Sequence, residues 1–392
     1  MTNHLKWIQK ALGDDHRSSM TFAEFMELAL YHLVQGYYVT QATRIGARGD
    51  FYTSPHLSPL FGECLARQVI DCWDIMGQPI VFELVEMGAG QGILAADILQ
   101  AIAQLCPELS KILTYSIIER SQPLKLAQRH HLASWGSVVQ WREWETIKPA
   151  SIQGCFISNE LVDAFPVHQV VWQDQKLQEV YVGIEDDRLK EQLGPLSTPK
   201  LQQYFDRLNI NFENYPDGYR TEVNLNAIDW IETVANRLHR GYVLTIDYGY
   251  SADRYYNLRR NEGTVQCYYQ HQANSNPYEN VGLQDITAHV DFTTLKECGE
   301  EFGLTSLGLT QQAYFLMALG LGDRIAALSQ TETKDIQEIN DRLQTRAALH
   351  KLIDPTGLGN FYVLIQSKDL SPTELSRSLR GLTIPERFPT PK

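Results

Sequence analysis

Val81-Phe82-Glu83-Leu84-Val85-Glu86-Met87-Gly88-Ala89-Gly90-Gln91-Gly92 is the stretch on which the reading of this chain turns. A short apolar run rich in Val, Leu and Phe has the length of a buried strand, and an amphipathic stretch from Ile93 to about Leu105 follows the glycines. The pattern predicts strand, tight turn, helix. Glycine is needed where the backbone takes a positive φ or a ligand must approach the main chain closely. The turn formed by Gly88, Ala89, Gly90 and Gly92 is therefore a candidate binding site.

Its spacing narrows the ligand. A dinucleotide fingerprint places its third glycine three positions after the second, so that pyrophosphate sits on the helix N-terminus. Ile93 occupies that position here. Glu86, two residues before the first glycine, would repel a pyrophosphate but could hold an ammonium group. Glu119 closes the next strand-like run, Leu113-Thr114-Tyr115-Ser116-Ile117-Ile118, where doubly wound folds place a carboxylate for ribose hydroxyls. S-adenosylmethionine, with its amino acid, sulfonium and ribose and no phosphate, suits both acids. The competing reading is a plain turn beside two solvated carboxylates.

With 392 residues the chain can form one large domain or two ordinary ones. Its 43% hydrophobic and 21% charged residues are ordinary for a globular protein, and no apolar run has the length of a membrane span. The early acidic residues fit neither a signal peptide nor a transit peptide, which predicts a cytoplasmic protein. The six cysteines form no Cys-x-x-Cys pair and are expected to be reduced thiols rather than disulfides or metal ligands. A net charge of −13 argues against nucleic acid and is compatible with a basic, arginine-bearing partner. Zinc-protease, hydrolase-elbow and Walker motifs are absent from the sequence.

Ahead of the glycine turn, residues 4 to 35 read as helical, with Thr21 and Glu24 as a capping box and the helix ending at Gly36. The loop Gly46-Ala47-Arg48-Gly49-Asp50-Phe51-Tyr52-Thr53-Ser54-Pro55 is expected to cover the ligand, through Gly49, Tyr52, Thr53 and Ser54; a surface connection is the alternative. Ser58 or Pro59 starts a further helix.

Beyond the turn, Ser121-Gln122-Pro123 starts a helix to about Leu132, and a strand is expected over 138–141. Gly154-Cys155-Phe156-Ile157-Ser158-Asn159-Glu160-Leu161-Val162-Asp163 reads as a buried strand ending in polar residues. In a parallel sheet the ligand crevice lies at the carboxyl ends of the strands, so Asn159, Glu160 and Asp163 are expected to face it. Glu160 and Asp163 can clamp a guanidinium; local capping and solvation are the alternative.

A hairpin is expected from Val167 to about Ile184, then a polar, irregular insertion, a helix over 222–240 and a strand over 241–250. Tyrosines crowd the stretch between 242 and 278, which either stacks on a flat cation or packs on itself. His289 is read as structural rather than as a base. Helices around 311–320 and 334–350 and a strand over 361–366 end the regular structure, and the residues after Ser367 are expected to be loosely held.

Over nearly its whole length the chain resembles the MidA-type class I S-adenosylmethionine-dependent methyltransferases. The resemblance rests on Phe22-Ala23-Glu24-Phe25-Met26, Gly36-Tyr37-Tyr38, Gly49-Asp50-Phe51-Tyr52-Thr53-Ser54-Pro55, Phe61-Gly62-Glu63 and Glu86-Met87-Gly88-Ala89-Gly90-Gln91-Gly92. It continues in Glu119-Arg120-Ser121, Asn159-Glu160-Leu161-Val162-Asp163-Ala164-Phe165-Pro166-Val167-His168, Asp247-Tyr248-Gly249 and Asp285-Ile286-Thr287-Ala288-His289-Val290-Asp291-Phe292. The chain departs from the family at His56, where an acid is usual, and near Leu33, where a proline is common.

The resemblance implies an α/β, Rossmann-like methyltransferase with a doubly wound, mostly parallel sheet. Residues 1–79 would form a helical cap and cofactor-covering loop, and 80–392 the catalytic domain, with an insertion at about 170–240. S-adenosyl-L-methionine would bind at Glu86, Gly88, Ala89, Gly90, Gly92, Glu119 and Asn159 and at the covering loop, with no metal. Asn159, Glu160 and Asp163 would act on the acceptor. The family's mitochondrial members, found in the matrix, methylate an arginine of a core subunit of respiratory complex I, so a protein substrate of that kind is expected, and a homodimer is compatible. A small-molecule methyltransferase and a cofactor-binding assembly factor without catalysis are the alternatives.

Overall fold

The computed structural model describes residues 3–14, 18–40, 53–270, 272–330 and 335–383. Contacts divide the chain into two units, Met1–Phe51 with Val162–Ile231 and Gly249–Cys298, and Tyr52–Leu161 with Glu232–Tyr248 and Gly299–Lys392. These are not the expected boundaries. The helix Pro59–Ile75, expected in the cap, belongs with the central sheet, and the material inserted in the sheet unit comes as two segments rather than one.

Among the described residues the sheet unit contains seven strands, in chain order β1 (Phe82–Met87), β2 (Leu113–Ile118), β3 (Val139–Arg142), β4 (Ile152–Asn159), β5 (Leu238–Asp247), β6 (Thr305–Gln311) and β7 (Tyr362–Lys368). They lie side by side as β3-β2-β1-β4-β5-β7-β6. β1 to β5 are parallel, and β7 runs antiparallel to both β5 and β6. This is the doubly wound, mostly parallel sheet that the sequence predicts.

Strand order reverses between β1 and β4, the place where open α/β sheets bind ligands. Three strands close tightly there: a Cβ on Gly154 would lie 2.0 Å from the Glu83 carbonyl oxygen, and one on Gly241 would lie 1.9 Å from that of Gly154. The helices Pro59–Ile75 and Ile93–Leu105 bury Phe61, Leu65 and Val69, and Leu94, Ile98 and Ile102, in the same core as Leu84 and Ile117. Ser58 caps the first, its hydroxyl accepting the Leu60 N–H at 3.3 Å.

Two expectations change here. β6 leaves no apolar signature in the sequence, because it is an edge strand with no fully buried residue. The segment after Ser367 is held as far as it is described: Leu379 is buried, the Gly381 N–H donates to Gln68 Oε1 at 2.9 Å and the Arg380 N–H to Asp71 Oδ2 at 2.9 Å.

In the other unit the Thr21–Glu24 capping box forms, with Glu24 Oε2 accepting the Thr21 N–H at 2.7 Å. Its helix, Phe22–Tyr31, stops before Gly36, because the His32 ring accepts the N–H groups of Val34 and Gln35 and turns the chain. Residues 18–21 are not helical either: Ser19–Thr21 is a strand paired with Lys176–Glu185, beside His168–Gln173 and Tyr219–Val223.

The segment read as irregular carries the strand Arg188–Gly194 and the helix Lys200–Arg207. The helix expected from Glu222 starts at Leu225, while Glu222 is a buried strand residue whose carboxylate accepts the Thr264 N–H at 2.8 Å. Tyrosines of the tyrosine-rich stretch pack both on one another and on other segments of the chain. Tyr255 and Tyr256 are buried beside Tyr204 and Phe205, and the chain's own Arg254 and Arg260 lie 4.9 and 4.3 Å from the Tyr250 ring. All six cysteines are free thiols, and no helix among the described residues is long and apolar enough to cross a membrane.

Candidate active site

β1 ends in the glycine turn, and the helix Ile93–Leu105 begins directly after it. Gly88, Gly90 and Gly92 all have positive φ, at 69°, 51° and 81°. A Cβ on Gly88 would lie 2.7 Å from Leu161 Cδ1, and one on Gly92 would lie 3.3 Å from Leu132 Cδ1, whereas one on Gly90 would meet nothing within 4 Å among the described residues. Gly90 thus opens on space. Ala89 is buried, and its carbonyl accepts the Gly92 N–H at 2.8 Å, closing the turn.

Glu86 is buried at the end of β1 and accepts the phenol of Tyr115, on β2, at 2.8 Å. Burial pushes its carboxyl up to about 7, against the Tyr115 hydrogen bond and with a further push from Glu119. Glu119, just past β2, is raised by burial as well, although it accepts the Ser121 N–H at 2.9 Å and the Gln128 amide at 3.1 Å. Two carboxylates whose charged forms burial disfavours, with Glu119 pushing Glu86 up further, form a site for positive charge.

Asn159 and Glu160 come together with Ser54 in the same unit. Glu160 Oε1 accepts the Asn159 amide at 3.1 Å and the Ser54 N–H at 3.3 Å, and its own N–H donates to the Ile246 carbonyl at 2.9 Å. Its φ of 51° is strained for a residue with a side chain. The Ser54 hydroxyl is fully buried against Gln312, and the Thr53 hydroxyl pairs with His56 Nδ1 at 2.6 Å. Gly49 and Tyr52 lie outside the described residues.

Asp163 falls in the other unit, in the turn Val162–Ala164, where it is buried and its carbonyl accepts the Ala288 N–H at 2.9 Å. Burial above all, then Asp285 and, behind Tyr31, the Asp163 carboxylate raise the phenol of Tyr38, which donates to Asp285 Oδ1 at 3.0 Å. His289 lies against Tyr250, with its ring held down to about 4 by burial and by Arg260, a structural setting rather than that of a base.

Several residues that shape the site escaped the sequence reading. Tyr115 looked like one more strand residue. Gln128 is a fully buried polar side chain on the inner face of the helix Gln122–His131, the one available signal of its role. Trp141, on β3, donates its indole N–H to Gln128 Oε1 at 2.9 Å. Asp247, at the end of β5, accepts the Leu161 N–H at 3.2 Å and the Tyr248 N–H at 2.9 Å.

The residues present fit the cofactor. Gly90 leaves room where a side chain would stand, and Asn159 Oδ1 is a buried acceptor without a partner among the described residues. Beside Glu86 and Glu119 they suit a ligand that carries positive charge and hydrogen-bond donors. No group of three or more His, Cys, Asp or Glu among the described residues could hold a metal.

Comparison with known proteins agrees. The human protein named "Protein arginine methyltransferase NDUFAF7, mitochondrial" is 28% identical over 410 residues, covering 97% of this chain and 86% of that protein. A Caenorhabditis elegans homolog of the same name is 30% identical, covering 84% and 79%. A crystal structure from Burkholderia thailandensis bound to S-adenosyl-homocysteine matches with a TM-score of 0.80 and 31% identity, covering 95% of this chain and 94% of that one. Residues 64–310 match the family model described as "Putative S-adenosyl-L-methionine-dependent methyltransferase", and the chain belongs to that family, with S-adenosyl-L-methionine as its cofactor.

Proposed function

We propose that this chain methylates an arginine side chain of a protein partner, borne by a subunit of a complex I-type NADH/quinone dehydrogenase. The observation that carries this reading is Glu160, fixed at the carboxyl end of β4 by the Asn159 amide and the Ser54 N–H. The relatives named protein arginine methyltransferases support the choice of acceptor.

When bound, the cofactor supplies an electrophilic methyl on sulfonium. The chain's task is then mainly to position and to exclude water. The glycine turn admits the cofactor, with Gly88, Ala89, Gly90 and Gly92 as its backbone wall; Glu86 and Glu119 hold its polar groups, and Asn159 accepts from it. A guanidinium stays charged at neutral pH. Glu160 draws that charge away from the attacking nitrogen, so the proton leaves late and no strong general base is needed. Asp163 is assigned to the acceptor as well, and Thr53 and Ser54, with Gly49 and Tyr52, to covering the cofactor.

Incubating cell extract with methyl-labelled S-adenosylmethionine and this protein tests the reading. Label on an arginine of a polypeptide supports it. Label in low-mass material makes the protein a small-molecule methyltransferase, and cofactor binding without any transfer makes it a non-catalytic assembly factor.

A further inference from the structure

Gln128 is fully buried yet spends its whole amide on three partners far apart in sequence. Its Nε2 donates to the Gly90 carbonyl at 2.8 Å and to Glu119 Oε2 at 3.1 Å, while its Oε1 accepts the Trp141 indole N–H at 2.9 Å. Indole nitrogen can only donate, so Trp141 fixes which end of the amide is oxygen. Both donors of the amide are thereby turned toward the glycine turn and the acid. Arg129 stacks over Trp141 with its guanidinium carbon 5.3 Å from the ring centre.

We propose that Gln128 is a positioning residue for the cofactor: one amide, oriented by Trp141, holds the glycine turn in its open form and aims Glu119. The proposal rests on the assignment of the cofactor to this turn. Gly90 has no side chain of its own to lock φ at 51°, and among the described residues nothing packs where its Cβ would be, so the hydrogen bond to its carbonyl supplies a restraint from the protein side. Glu119 is held by the same amide and by the Ser121 N–H, which leaves its carboxylate in one orientation rather than several. Turn and acid are thus presented as one preorganised surface, which lowers the ordering cost of binding.

The test is calorimetric titration of S-adenosylmethionine, with thermal unfolding of the same samples. Gln128→Leu is expected to weaken binding tenfold or more, and Gln128→Glu, which keeps the shape but loses the donors, by a similar factor. Trp141→Phe, which frees the amide to turn over, should give a smaller loss of about threefold to tenfold. Leu124→Ala, a buried apolar change on the same helix, should lower the unfolding temperature and leave affinity in the folded fraction unchanged.

Wild-type affinity in Gln128→Glu and Trp141→Phe, with Gly90→Val failing to bind, overturns the positioning role alone. Normal binding by Gly90→Val overturns the assignment of the cofactor to the turn, and the positioning role falls with it. Should Gln128→Leu not fold, Gln128→Glu and Trp141→Phe decide the matter.

Discussion

Tyr115 donates its phenol to Glu86 Oε2 at 2.8 Å from the neighbouring parallel strand, and yet Glu86 remains far more basic than an ordinary carboxylate, because burial outweighs that one bond. Its native value of about 7 stands above the ordinary 4.5. Between those pH values the folded protein keeps a proton that the unfolded chain has released. Unfolding then sheds a proton, so this group's contribution to stability falls as pH rises through the window, by about 3 kcal/mol in all. Urea unfolding of the cofactor-free protein should show the stability of wild type relative to Glu86→Gln declining from pH 4.5 to 8. A difference that ignores pH would mean that Glu86 is not held protonated.

The same proton opposes a cationic ligand. Binding should release it, and affinity for S-adenosylmethionine should climb with pH up to about 7, by at most about tenfold per unit, and then level off. Glu86→Gln should remove the slope. Titrations in two buffers of different ionisation heat count the released proton directly.

Gly90→Val places a branched side chain in left-handed backbone at the cost of about 1–2 kcal/mol, but its Cβ meets no atom within 4 Å among the described residues. The expected outcome is a folded protein with an unchanged circular dichroism spectrum and no measurable heat of cofactor binding.

Glu160→Gln keeps acceptors for the Ser54 and Asn159 donors while removing the charge. Cofactor affinity should stay within about twofold of wild type, whereas methyl transfer should drop by a factor on the order of 100 to 1,000 if the carboxylate localises charge in the transition state. Asp163→Asn should show the same split between binding and turnover. Normal turnover of the true acceptor by either variant would remove that residue from the chemistry.

Asp247→Ala strips the buried acceptor from two backbone N–H groups, those of Leu161 and Tyr248. Each orphaned donor costs about 1–3 kcal/mol. Chemical denaturation should show a loss of about 2–6 kcal/mol, and turnover should fall with it, since the displaced Leu161 follows Glu160 directly.

Much of this architecture was legible because the inner strands are mostly apolar runs with polar residues at their carboxyl ends. Glu86, Glu119 and Asn159 stand at the carboxyl ends of β1, β2 and β4 for that reason. What escaped depended on partners remote in sequence. Glu222 has the composition of a helix residue, but its fate was set by Thr264, which lies 42 positions further on. Gln128 is joined to a carbonyl 38 positions away, a bond that no local pattern announces. The pairing of Asn159 with Glu160 could be guessed from adjacency, whereas the Ser54 N–H arrives from 106 positions upstream.

The position of β7 bears on how the molecule is made. Tyr362–Lys368 is the last of the seven strands to leave the ribosome, and it lies between β5 and β6 rather than at the rim. Until it arrives, β5 offers an unpaired backbone edge and β6 has no neighbour to join. A nascent chain can therefore assemble the methyl-donor half early, but it stays exposed to mispairing with other chains until that strand emerges.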